Sequence, residues 1–460
     1  MQTECMTDPL EFQGFEGRRV VATFDGGLIS SDAGAVLLRE ADRAVDLIGR
    51  VAGCFHDGRS SKDVVHSLRT LVGQRIVGLA LGYEDVNDHD ALRHDPVLGL
   101  FSDKLESRRR DCAPLAGKST MNRLEHSPQT AADRYHKISH DPRALEGLFV
   151  ELFLEAYELA PKRIVLDLDA TDDPLHGTQE GRFFHGYYGC YCYLPLYIFC
   201  GRHLLAARLR PSNIDGAAGA KQEVARIVER IRQDWPDVAI LLRGDSGFAR
   251  DDLMAWCEAN AVDYLFGLQR NQRLVATIEV ELEAVRRLCQ ESGKPARRFK
   301  DFHYRTRKSW SRQRRVVGKA EVLPKGDNPR FVVTSLKSSQ IRARKLYEEL
   351  YCARGDMENR IKEQQLDLFA DRTSTSSMRA NQLRLWFSSF AFVLIEALRR
   401  IALTHSRLAK ASPGTIRRKL LKIGARITRS IRRLKIAMAS AGPYQQDFIM
   451  AHRRLTSAAA

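Results

Sequence analysis

At Arg163 the texture of the chain changes, and that switch constrains its fold more than any other feature. IVLDLD (164–169) reads as a strand, Tyr191–Phe199 and Leu204–Leu209 as two more, joined at Gly201-Arg202-His203. Val224, Ile227, Val228 and Ile231 then repeat at helical spacing. A strand VAILL (238–242), a helix over Asp251–Asn260 and a strand VDYLFGL (262–268) follow. The order βββαβαβ predicts an α/β fold with a mixed sheet, antiparallel first and parallel afterwards. Phe183–Gly201 has no Asp, Glu, Lys or Arg, but His185, Gly186, Gly189 and Pro195 make it paired strands with a turn, not a membrane span.

Three acids fall at telling places in this order. Asp169 ends the first strand, Asp245 follows VAILLRG, and Glu358 lies on a long amphipathic helix expected over 341–369. Carboxylates at strand ends face the crevice where α/β sheets bind ligands. Mg²⁺ takes such hard oxygen donors, with Mn²⁺ able to substitute. Tyr351, Arg354, Glu358 and Lys362 are spaced 3, 4 and 4, so one carboxylate shares a narrow helical stripe with a phenol and two cations. That set suits a metal ligand flanked by phosphate-binding groups, and equally an ordinary ladder of surface ion pairs. Asp167 shares its strand face with Asp169, and spacing does not separate the two.

Charge adds a partner. Lys plus Arg number 73 against 57 Asp plus Glu, a net +16 over 460 residues, which favours a polyanion. Ten of the cations lie between Arg297 and Lys319, with Phe299, Phe302, Tyr304 and Trp310 among them. Aromatics interleaved with cations suit distorted or single-stranded DNA, while a β-insertion with a small aromatic core fits as well. Eleven more lie in His405–Lys435, where the apolar positions 416, 420, 423, 427, 431, 434 and 438 predict a basic amphipathic helix. Nine scattered cysteines and an N-terminus (Met1–Gly14) without an apolar core predict reduced thiols, no secretory leader and a cytoplasmic, nucleoid-associated protein. Gly117-Lys118-Ser119-Thr120 lacks the earlier glycine of a phosphate-binding loop, and Cys190, Cys192, Cys200 and His185 lack finger spacing, so neither an NTPase nor a zinc site is expected. The run Asp85–Asp95 reads as a capped polar loop.

Long phrases narrow the reading further: LISSDAGAVLLREAD (28–42), GYEDVNDHDALRHDP (82–96), DLDATDDPLHG (167–177), EGRFFHGYYGCYCYLPLYIFCG (180–201), LRPSNIDG (209–216), LRGDSGF (242–248), YCARGDMENRIKEQQLDLFADRTS (351–374) and ANQLRLWFSS (380–389). Over nearly the whole chain these resemble a bacterial insertion-sequence transposase group, the family numbered thirteen-eighty within the DDE group 1 set. The resemblance implies a ribonuclease-H-like core (βββαβαβ-insertion-α) in which Asp169, Asp245 and Glu358 are the catalytic, Mg²⁺-binding triad; its Asp-x-Thr setting favours Asp169 over Asp167. Related hairpin-forming transposases carry Tyr-x2-Arg-x3-Glu-x6-Lys around the last acid. Tyr351, Arg354 and Glu358 match, but Gln365 stands at the lysine position and Lys362 one turn earlier.

The expected organisation is a helical DNA-binding region (1–150), the catalytic core (160–270 and 336–370), a basic, aromatic insertion (271–335) and a basic helical C-terminal region (371–460). Expected DNA contacts are Tyr351, Arg354, Lys362, Trp310, Arg312, Arg314 and Arg315, with Trp310 either bracing a flipped base or filling the insertion core. The expected activity is endonucleolytic cleavage at terminal inverted repeats and joining of 3′ hydroxyls to target DNA, by a homodimer on double-stranded DNA and away from membranes. Two other readings are a non-catalytic DNA-binding derivative, which should have lost acids, and a nuclease with the same core that hydrolyses without joining.

Overall fold

The structure, a computed structural model, describes residues 9–101, 112–130 and 136–458. It divides into two compact units, residues 1–140 with 390–460, and residues 141–389. Cys5 and most of Met1–Gly14 lie outside the described residues; the eight cysteines within them are all free.

The second unit is built on a nine-stranded sheet. We number its principal strands β1 (Arg163–Ala170), β2 (Leu196–Cys200), β3 (His203–Arg208), β4 (Ala239–Gly244), β5 (Asp263–Leu268), β6 (Ala296–Tyr304), β7 (Arg314–Leu323) and β8 (Arg330–Thr334). Their spatial order is β3-β2-β1-β4-β5-β8-β7-β6. β2 is antiparallel to β1 and β3, whereas β4 is parallel to β1 and β5. Helices α1 (Ala220–Asp234) and α2 (Asp251–Ala259) make the two right-sized crossovers, and α3 (Glu279–Ser292) leads into β6. The expected βββαβαβ order is therefore present. Pro195, which has no N–H to give a ladder, splits the expected strand 191–199 into Cys190–Tyr193 and β2.

The insertion differs from expectation. Its strands do not form a module of their own; β8 pairs antiparallel with β5, from Leu265↔Thr334 to Leu268↔Phe331, and β7 and β6 follow. β5 would otherwise expose a row of unpaired backbone groups, and the insertion covers that edge.

Both faces of the sheet are buried, so the strands are nearly continuous in apolar residues. Leu166, Leu168, Ile240, Leu242, Tyr264 and Phe266 face one way, against α1, α2, α3 and the helix Pro142–Leu154, which contributes Val150 and Phe153. The last of these helices straddles the end of the expected N-terminal region 1–150, and it completes the core of the second unit. Leu241, Leu265, Val317 and Val332 face the other way, against Leu346 and Tyr347. Those two open the helix α4 (residues 343–367), which is expected over 341–369. It widens into π turns at Leu346–Tyr351 and Glu363–Asp367 and tightens at Cys352–Arg354. By strand parity, odd-numbered residues of β1, β4 and β5 face α4.

The first unit joins the two ends of the chain. It contains helices Ala35–Val45, Leu68–Leu81, Lys118–Glu125 and Gln445–Ala458, and a buried Arg75–Glu125 ion pair of 2.6 Å. It is not all helix. A hairpin, Leu10–Phe15 with Arg18–Ala22, is exposed along its whole length. The helix expected over 415–438 stops at a turn, Arg417–Leu421, and two antiparallel strands follow, Ala425–Arg429 and Leu434–Met438. The residues behind the 3.6 stripe also alternate: Ile427 is buried between exposed Arg426 and Thr428, and Ile436 sits between exposed Lys435 and Ala437. β-branched residues and the turn Ser430–Arg433 decide for the strand. Ile431, the one stripe member at the turn, is fully exposed. Among the described residues no helix is long and apolar enough to cross a membrane.

Candidate active site

The site lies on the α4 side of the sheet, where β1 and β4 end side by side. Asp167 and Asp169 both point there, but they have different partners. Arg243 sits directly across from Asp167 in the parallel β1–β4 register and grips its carboxylate with Nε at 2.5 Å and Nη2 at 2.8 Å. Arg243 Nη1 also donates to the Leu350 carbonyl at 2.5 Å, which ties the first π turn of α4 to the sheet. Asp167 is thus consumed in a buried ion pair. Asp169, one step further along the strand, is left to face α4.

Asp169 and Glu358 meet at Arg354, and Asp245 is near enough to act on it through charge. Its Nη1 lies 3.3 Å from Asp169 Oδ2 and its Nη2 2.6 Å from Glu358 Oε1. Asp245 follows β4, caps the short turn Ser246–Phe248 and accepts the Gly247 N–H at 2.9 Å. One guanidinium does not balance three carboxylates. Burial first, then repulsion from Asp245 and Glu358, pushes the Asp169 carboxyl up to about 7 against the pull of Arg354. The Arg354 guanidinium is held more firmly protonated by Asp169 and Glu358, despite burial.

Tyr351 and Gly267 complete the wall. Tyr351 is half-buried, its ring tilted against that of Tyr347 at 5.4 Å, and burial raises its phenol. A Cβ on Gly267 would stand 2.6 Å from the Tyr351 hydroxyl and 2.9 Å from the Ser246 nitrogen, so only glycine lets β5 run this close. Lys362 is exposed on α4, one turn past Glu358. Gln365, at the lysine position of the motif, turns inward: its Nε2 donates to the Asp172 carbonyl at 3.1 Å and to Asp173 Oδ1 at 2.9 Å. Full burial raises the Asp173 carboxyl well above the ordinary range, and a neutral amide suits that neighbour better than an ammonium without a charged partner.

The donor set is that of a hard divalent cation: three carboxylates, an excess of negative charge and no soft ligand. As they stand, no three Asp, Glu, His or Cys side chains among the described residues are gathered closely enough to hold a metal ion.

The insertion residues are elsewhere and differently engaged. Trp310 is 4% exposed, packed edge-on against Tyr304 at 5.8 Å and part of the main core. Its backbone is pinned as well, Trp310 N donating to Thr306 Oγ1 and its carbonyl accepting from Arg305 Nε. Arg314 is enclosed between Asp251 and Glu258, at 2.6 and 2.8 Å. Arg315 holds Asp301 at 2.6 Å and the Leu336 and Ile341 carbonyls. Of the two readings given for Trp310, this placement is that of a ring filling a core, and the Arg314 and Arg315 guanidinia are paired with carboxylates. Arg312 is exposed, 3.4 Å from Glu258.

Arg243 and Gly267 are not singled out as site residues by the sequence. An arginine inside the apolar run VAILLRG was the available signal for the first.

A mixed sheet with acids at adjoining strand ends and a third on a crossing helix defines the class to which this chain belongs. Residues 12–460 match the family described as transposase DDE domain group 1, and the chain belongs to that family of DDE transposases. Among solved structures, the piggyBac transposase synaptic complex with hairpin DNA, a cryo-EM structure, is similar at 9% identity over 85% of this chain and 80% of that one, with a TM-score of 0.40. No curated protein matches the chain.

Proposed function

We propose that this chain is the transposase of a bacterial insertion sequence, which cleaves the terminal inverted repeats of its element and joins the 3′ hydroxyls to target DNA. The observation that carries this is the unbalanced cluster at Arg354: the three acids of the family motif meet one cation. The β3-β2-β1-β4-β5 order supports a ribonuclease-H-like core beneath it. Asp169, Asp245 and Glu358 would hold Mg²⁺, which when bound supplies Lewis-acid activation of the attacking hydroxyl and stabilisation of the leaving oxygen.

The chain's own residues do the rest. Arg243 neutralises Asp167 and leaves Asp169 the acid that faces substrate. Arg354 holds the carboxylates together against their repulsion and is the guanidinium nearest the scissile phosphate, with Tyr351 beside it. Exposed Lys362 and Arg312 offer further cations to the backbone of double-stranded DNA. Two ends call for two copies, so the working form is a homodimer on DNA, in the cytoplasm at the nucleoid.

Incubating the protein with a labelled transposon end, a target plasmid and Mg²⁺ tests this. Cleaved ends covalently joined to target are expected. Cleavage without joining would make the protein a structure-specific nuclease, and neither product would overturn the proposal.

A further inference from the structure

Between β1 and β2 the chain makes a second, smaller sheet: Asp173–Pro174, Cys190–Tyr193 and Phe183–His185, in that order. Phe183–His185 and Cys190–Tyr193 form a hairpin whose turn, Gly186-Tyr187-Tyr188-Gly189, closes with Gly189 N donating to the His185 carbonyl at 2.8 Å. Gly189 sits at φ 67°, which favours glycine there. Rings crowd this hairpin and do not pack inward. Tyr187 is 87% exposed and Phe184 58%, with Phe183 and Tyr191 also exposed. Phe184 meets Tyr191 edge-on at 5.5 Å, and Tyr187 meets Tyr188 at 5.0 Å.

Three observations say what covers these rings. First, the hairpin starts at the acids: the half-buried Tyr188 hydroxyl donates to the carbonyl of Ala170, the residue after Asp169, at 3.3 Å. Second, a cation lies among the rings. The Arg182 guanidinium stacks on Tyr191 at 3.7 Å, and its enclosed Nε has no hydrogen-bond partner. Third, the exposed large apolar side chains on this hairpin are all aromatic. In the hairpin near the N-terminus, by contrast, aliphatic Leu10, Val20 and Val21 accompany the phenylalanines. Flat rings beside a guanidinium match nucleobases and phosphate better than an aliphatic protein face. Pairs inside a duplex hide their faces in the stack, so away from a duplex terminus such rings stack only on unpaired bases.

We infer that the aromatic hairpin 183–193 is a stacking platform for a single-stranded segment of the DNA substrate, with Tyr187 and Phe184 its principal rings and Arg182 its cation, laid beside the acids at Asp169. The inference rests on the proposed action on DNA ends, and assigns to this hairpin the role first expected of Trp310. Melting the end next to the cleaved bond exposes base faces, and the rings offset that cost.

The full chain and a Phe184→Ala/Tyr187→Ala double variant are titrated, at one salt concentration, against a labelled oligothymidylate strand and a blunt duplex of equal length. The expected result is about a tenfold or greater loss of affinity for the strand, with duplex binding unchanged within about twofold. Tyr187→Phe should bind the strand as the parent does, since stacking needs the ring and not the hydroxyl. Both side chains of the double variant are exposed, so its thermal midpoint should stay that of the parent. Equal loss on both probes, or none on the strand, overturns the inference. So does loss of self-association by light scattering with strand binding intact, which would give the hairpin to a second copy. Strand discrimination that depends on these rings, in a protein that neither cleaves nor joins ends, supports the platform and overturns the proposed function instead.

Discussion

Two arginine-centred clusters in the same sheet make opposite use of the same chemistry. At the end of β7, Arg312 and Arg314 meet Asp251 and Glu258, two cations for two anions, and Arg315 meets Asp301 one for one. At the ends of β1 and β4, Arg354 alone faces Asp169, Asp245 and Glu358. The first cluster is balanced, and two of its acids are held below the usual carboxylate range: for Asp251 and for Glu258 burial raises the group but hydrogen bonds and the Arg314 charge outweigh it. The second carries excess negative charge, and its most buried acid is pushed the other way. A balanced cluster has its charge spent within the protein; an unbalanced one keeps charge that a further cation would offset. The sequence puts Arg312, Arg314 and Arg315 in the same set of expected DNA contacts as Arg354, and only local charge balance tells the two clusters apart.

The largest effects should separate the two clusters cleanly. Asp245→Ala is expected to reduce end cleavage at least about a thousandfold while the thermal midpoint stays within a few degrees of the parent. Arg314→Ala should do the reverse, leaving two carboxylates without their cation and costing roughly 3 kcal/mol by chemical denaturation. Trp310→Ala should resemble Arg314→Ala, through a core cavity worth about 3–5 kcal/mol. If either insertion variant keeps its stability and loses DNA binding, the contrast drawn above breaks.

A smaller effect sharpens the site's geometry. Gly267→Ala places a methyl against the Tyr351 hydroxyl and the Ser246 nitrogen. Cleavage should fall by about ten- to a hundredfold with end binding little changed, because a displacement of about an ångström at a reacting centre has that scale. Unchanged cleavage kinetics would mean that the closeness of β5 to α4 does not serve the chemistry.

The last effect is in pH. The folded Asp169 carboxyl is pushed up to about 7 from an ordinary 3.8, so between those values the folded protein holds a proton that the unfolded chain releases. Stability therefore falls as pH rises through that window. In chelator, Asp169→Asn should match the parent below about pH 4 and exceed it above pH 7 by an amount on the order of a few kcal/mol. Paired urea titrations at pH 4 and 8 would reveal it. A variant advantage independent of pH would place the cause in packing and not in charge.

Motif and period made much of this protein legible. The alternation of strands and helices from Arg163 onward gave the central order because burial on both faces demands continuous apolar strands, and IVLDLD and VAILL have them. Arg354 and Glu358, four apart on the expected helix, are in contact because a helix sets such residues on one face. The C-terminal stripe at 416–438 did not, since an apolar spacing of three and four over so short a run is also compatible with two strands and a turn.

What the sequence determined by itself was local: which segments extend, which coil, and which acids sit at strand ends. The tertiary structure decided who partners whom. Asp167 and Asp169 are equivalent two residues apart on one strand, and only the register that sets Arg243 across from Asp167 separates them. Trp310 and Tyr187 are both aromatics in polar surroundings along the chain, yet one fills a core and the other stands in solvent. Charge balance and burial depend on residues brought together from distant positions, 76 apart for Arg243 and Asp167 and 185 apart for Arg354 and Asp169, and periodicity carries no information about such pairs.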